Sequence, residues 1–105
     1  VGEENATLQT ILNNMPATGG DQNANATGIQ IDPTTLLPPL RHQSFDYVAF
    51  AGSLTTPPCS EGVQWYLLLD SISISAAQLS QLKGFYTDNA RSPQNLNGRV
   101  ISSTK

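Results

Sequence analysis

Charge and metal-binding side chains are scarce in this sequence. Its 105 residues include five Lys or Arg, eight Asp or Glu and one His, for a net charge of −3. With so few cations there is no basic patch to neutralise phosphates, which excludes nucleic acid as a partner. No apolar run approaches the roughly 20 residues of a spanning helix, so the sequence holds no membrane-spanning segment. A single cysteine, Cys59, excludes a disulfide within the chain. On its own it reads as a small buried apolar side chain or an unpaired thiol. Low charge beside many Ser, Thr, Asn and Gln points to a secreted, strand-rich protein. No repeat or low-complexity linker divides the chain, so it is at most one domain.

What is present is organised around residues 52–65, Gly-Ser-Leu-Thr-Thr-Pro-Pro-Cys-Ser-Glu-Gly-Val-Gln-Trp. An alternating apolar run over 45–51 enters this stretch and another over 63–69 leaves it, so two strands flank a loop. Pro57-Pro58 removes two backbone donors and fixes two φ angles, which stiffens Thr55 and Thr56. Their hydroxyls can each donate one hydrogen bond and accept two, suiting a site that orients a small polar reactant. An ordinary Pro-rich surface loop is the plain alternative.

Elsewhere the patterns are local and clear. Leu8, Ile11, Leu12 and Met15 form one apolar stripe, predicting a helix over 6–14 capped by Asn5 and stopped by Pro16. Residues 17–28 read as a polar loop, 29–31 as a short strand, and Asp32-Pro33 as a turn or helix start. Ser75-Ala76-Ala77-Gln78 is a capping box opening a second helix, with Leu79 and Leu82 inward and Gly84 as its stop. Residues 1–2 read as the end of a strand, and 100–101 as a last edge strand. In 63–69, Trp65, Leu67 and Leu69 share one face and Tyr66 and Leu68 the other, so both faces are expected to be covered, as in a central strand. Such a sheet lacks its neighbours here, and the chain is expected to be part of a longer unit. The sequons Asn5-Ala6-Thr7 and Asn25-Ala26-Thr27 are glycan acceptors in a secretory pathway, Asn25 the better placed of the two.

Ser53-Leu54-Thr55-Thr56-Pro57-Pro58-Cys59-Ser60-Glu61-Gly62-Val63 with Trp65 resembles the signature of the α-class carbonic anhydrases. Asn89-Ala90-Arg91-Ser92-Pro93-Gln94 and Leu96-Asn97-Gly98-Arg99 are similar to the segment that closes that domain. The likeness runs over nearly the whole chain. It implies an α+β, predominantly β fold, a central mostly antiparallel sheet with short flanking helices. Residues 1–105 are then the C-terminal portion of a single secreted or periplasmic domain, joined by its N-terminal part. The implied reaction is reversible hydration of carbon dioxide to bicarbonate and a proton. The implied cofactor is zinc, held in that family by three histidines.

This sequence has one histidine, and His42 does not match a family ligand position, so the ligands are expected outside the chain. The resemblance implies that Thr55 accepts a hydrogen bond from the zinc-bound hydroxide and donates one to an upstream glutamate. It makes Thr56 a lining residue on the bicarbonate side and Leu54, Val63 and Trp65 an apolar wall for carbon dioxide. It also pairs Cys59 with an upstream cysteine, makes the Pro57-Pro58 peptide cis, and leaves Glu61, Asn89, Arg91 and Arg99 structural. Two positions depart from the family pattern: the proline after Arg91 is displaced by one residue, and Phe50 stands where many members have Tyr. The rival function is a carbonic-anhydrase-like binding domain without catalysis. Retention of both Thr55 and Thr56 favours the enzyme.

Overall fold

The computed structural model describes residues 1–16 and 28–105. Asn25 and nearly all of the expected polar loop lie outside the described residues. The chain forms two compact units, Val1–Pro38 with Ile72–Asp88, and Pro39–Ser71 with Asn89–Lys105.

The first unit is helical. Helix α1, Ala6–Asn13, buries Leu12 on the stripe that the apolar spacing predicts. Asn5 caps it, its side-chain oxygen accepting from the Leu8 N–H at 2.9 Å. Helix α2, Ala76–Phe85, opens with the expected capping box between Ser75 and Gln78. It runs one residue past Gly84, ending where Tyr86 turns extended at φ −139° and ψ 139°.

Gln78 does more than cap its own helix. Its carbonyl oxygen accepts from the N–H groups of both Asn5, at 3.0 Å, and Ser75, at 3.1 Å. Its amide donates to the Asn5 carbonyl at 2.7 Å. One buried side chain therefore ties the starts of α1 and α2 together. Between the helices in sequence, Pro33–Leu36 forms a 3₁₀ turn capped by Asp32. Hydrogen bonds from the side chain and backbone of Thr34 hold the Asp32 carboxyl below the ordinary carboxylate range. Residues 29–31 form no strand. The expected strand end at 1–2 reduces to one bond, Gly2 N–H to the Ile74 carbonyl at 2.8 Å.

The second unit is a three-stranded antiparallel sheet in the order β2-β1-β3. Its strands are β1, Tyr47–Ser53, β2, Glu61–Leu68, and β3, Ser102–Ser103. β1 starts at Tyr47, two residues later than expected, where it pairs with Leu68. Pairing carries its end through Gly52 and Ser53 opposite Val63 and Glu61, which also starts β2 two residues early. The last strand is Ser102–Ser103 instead of 100–101, set by its register with Val48 and Ala49. Arg41 to Ser44 closes a tight turn, with His42 and Gln43 both left-handed, at φ 50° and 67°. Arg41 also pairs with Asp70 at 3.1 Å.

Within this chain the faces of β2 stand open, in keeping with a sheet that lacks its neighbours. No described strand pairs with its outer edge, and Trp65, Tyr66, Leu67 and Leu69 are all exposed, Tyr66 at 62%. Among the described residues the buried side chains are Leu12, Pro38 and Gln78, all in the helical unit. Apolar composition alone predicts interior positions. It cannot supply the surface that must cover them.

Candidate functional site

The loop joining β1 to β2 is built by a turn and a bulge. Leu54 N–H bonds the Ser60 carbonyl at 2.9 Å, closing the loop across its base. Inside it, Cys59 N–H bonds the Thr56 carbonyl at 2.8 Å, with the Pro57-Pro58 peptide cis as expected. A cis proline at the third place of a four-residue turn defines a type VI turn. Gly62, at φ +88°, is the extra residue of a β-bulge opposite Gly52 and Ser53. A bulge with glycine in the left-handed region twists the strand and re-aims what precedes it. Thr55 and Thr56 are thereby held out from the sheet, both exposed.

Side chains from elsewhere grip the strand that feeds this loop. Arg99 donates to the carbonyls of Ala51, at 2.7 Å, Leu96, at 2.9 Å, and Asn95, at 3.0 Å. Arg91 donates to the Ser53 hydroxyl at 2.7 Å. The Trp65 ring donates through Nε1 to the Ser53 carbonyl at 3.1 Å and stacks on Phe50 with centroids 6.4 Å apart. The two arginines are structural anchors of the closing segment, and both anchor it to the end of β1.

Gly52 is required by that ring. A Cβ there would lie 2.8 Å from Trp65 Cδ1 and 3.0 Å from Nε1. Gly52→Ala is therefore expected to cost about 1–2 kcal/mol, since the ring must shift off Phe50 and off its bond to Ser53. A denaturant titration following tryptophan fluorescence checks this. A variant as stable as the parent, with unchanged fluorescence, would show that the ring yields freely.

Of the expected site residues, Thr55 and Trp65 come together on one open groove of about 390 Å³, which Phe50, Leu96 and Ile101 also line. Leu54, Thr56 and Val63 do not line it. Val63 shares a sheet face with Trp65, while Leu54 and Thr56 lie on the exposed loop. Half-buried Cys59 lines a second groove of about 420 Å³ with Glu61 and Arg91. Asn5 is a half-buried helix cap whose sequon partner Thr7 shares a 2.6 Å hydroxyl bond with Thr35. His42 sits in its exposed turn.

Among the described residues no three His, Cys, Asp or Glu gather into a group able to hold a metal. The described residues therefore offer no zinc site of their own. Sequence reading placed Ser53 at the head of the signature and missed the bonds that its hydroxyl makes. It also missed the reach of Arg91 to it across 38 positions.

The family model for eukaryotic-type carbonic anhydrase matches residues 1–105. Carbonic anhydrase 1 of Oryctolagus cuniculus is 37% identical over 115 residues, covering 99% of this chain and 47% of the relative. The carbonic anhydrase of Neisseria gonorrhoeae is 41% identical over 101 residues, covering 95% of this chain and 37% of the relative. In structure, the α-carbonic anhydrase of Thermovibrio ammonificans, solved with the inhibitor sulfanilamide, superposes with a TM-score of 0.80 at 39% identity. That superposition covers 96% of this chain and 42% of the other. This chain belongs to the α-class carbonic anhydrase family. It spans less than half the length of these relatives.

Proposed function

We propose that the chain is the C-terminal part of a zinc-dependent carbonic anhydrase that converts carbon dioxide and water to bicarbonate and a proton. The family match over all 105 residues is the observation that carries this reading. The zinc and its ligands belong to the part of the domain outside this chain. That N-terminal part covers the open edge of β2 and its exposed Trp65, Leu67 and Leu69. The sheet unit, in which no described residue is buried, supports this partner.

Within the whole protein, Thr55 positions the water-derived nucleophile. Its hydroxyl donates its one proton to a carboxylate and so can only accept from the attacking oxygen, which aims a lone pair at carbon dioxide. Thr56 lines the bicarbonate side. Leu54, Val63 and Trp65 form an apolar surface on which linear, uncharged carbon dioxide rests. The protein is secreted or periplasmic, with Cys59 bridged to an upstream cysteine and Asn25 or Asn5 open to glycosylation.

Metal analysis and stopped-flow carbon dioxide hydration on the whole protein test the reading together. One zinc per domain with hydration activity is expected, and removing the zinc with a chelator is expected to abolish activity. A whole protein that takes up no zinc and hydrates no carbon dioxide would instead be a binding domain that keeps the fold without the reaction.

A further inference from the structure

We infer that Arg91 is a positioning residue for Thr55, acting through the Ser53 hydroxyl. The inference rests on the carbonic anhydrase reading for its catalytic consequence, and on geometry for the relay itself. Arg91 Nη1 donates to Ser53 Oγ at 2.7 Å, and Ser53 Oγ donates to the Leu54 carbonyl at 2.9 Å. A guanidinium has no acceptor, so the serine can only accept from it. Its single proton is then committed to Leu54. A bond to a charged donor is also stronger than one between neutral groups, which polarises the second link.

The carbonyl it reaches belongs to the peptide whose nitrogen is that of Thr55. Because a peptide is planar, fixing that oxygen fixes the N–Cα direction of Thr55. The preceding peptide plane has other anchors. Trp65 Nε1 holds the Ser53 carbonyl at 3.1 Å, and Leu54 N–H holds the Ser60 carbonyl at 2.9 Å. For the plane that carries Thr55, the relay from Arg91 is the anchor found among the described residues. The relay takes one guanidinium N–H, and Arg91 is in no salt bridge among the described residues. Among the described residues no carboxylate pairs with the guanidinium and draws it from this relay. A residue near the end of the chain thus sets the pitch of the site's hydroxyl without touching substrate.

The test uses Ser53→Ala, Arg91→Met, their double variant and Arg91→Lys in the whole protein. Each single variant is expected to lower kcat about 3- to 10-fold, the scale of one lost hydrogen bond. KM should stay within about twofold, because orientation and not ground-state binding is lost. The double variant should be no worse than the poorer single, since both cut one chain of bonds. Arg91→Lys, keeping a charged donor, should recover part of the loss.

An independent readout is the ¹H–¹⁵N resonance of the Thr55 amide, expected to move the same way in both singles and no further in the double. Multiplying kcat losses, unchanged kcat, or a Thr55 amide that moves in one single and not the other would overturn the relay. If the parent protein shows no hydration at all, the carbonic anhydrase reading fails. The amide shifts then decide the relay alone, and an unmoved Thr55 resonance overturns it.

Discussion

Thr55→Ala in the whole protein is expected to lower the turnover of carbon dioxide roughly 100-fold while leaving zinc content and stability unchanged. The size follows from what one misdirected reacting group costs, about two orders of magnitude when a pre-oriented contact is lost. Stability should hold because the side chain is exposed and its loop is closed by backbone bonds from Leu54 to Ser60 and Cys59 to Thr56. Thr55→Ser keeps the hydroxyl and should retain most of the turnover. Thr55→Val keeps the shape without the hydroxyl and should behave like the alanine variant. Stopped-flow hydration rates, metal content and a melting temperature for each variant separate the possibilities. A zinc-replete Thr55→Ala protein with full turnover would remove Thr55 from the reaction.

The second large effect is on stability. Gln78→Ala is expected to cost about 2–4 kcal/mol, with the helical unit losing its tie between α1 and α2. Gln78 is 1% exposed, and its amide satisfies the N–H and carbonyl of Asn5 and the N–H of Ser75. Removing it strands those groups at two helix starts, and each buried orphan costs about 1–3 kcal/mol before water reaches it. Gln78→Glu should also destabilise, because a carboxylate accepts from both N–H groups but faces the Asn5 carbonyl with no donor. Urea unfolding should show a lower midpoint at an unchanged slope. A change below about 0.5 kcal/mol in both variants would mean that water replaces the side chain freely.

Much of the local structure was legible in the sequence, and the reasons are short-range. The stripe of Leu8, Ile11, Leu12 and Met15 with Asn5 ahead of it specifies a capped helix through contacts within one turn. Ser75 and Gln78 specify the start of the second in the same way. Pro57-Pro58 and the apolar runs on either side place a rigid loop between two strands. The strand ends were less legible, since β1 and β2 extend through Gly52, Ser53, Glu61 and Gly62, residues of low strand preference that only their partners recruit. Gly84 marked a plausible helix stop, yet one more residue followed because glycine permits a stop without imposing one.

By itself, then, the sequence determined the family, the helix caps and the loop carrying Thr55 and Thr56. Each depends on residue identity or on neighbours a few positions apart. Only the tertiary structure decided that Gln78 serves Asn5 across 73 positions and that Arg91 serves Ser53 across 38. It alone placed Ser102 and Ser103 against β1 and, among the described residues, left the outer edge of β2 without a paired strand. A donor such as the Arg91 guanidinium carries no mark in the sequence of which acceptor it will meet. That choice is made when distant segments pack, and an alternating apolar pattern names the face to be covered without naming what covers it.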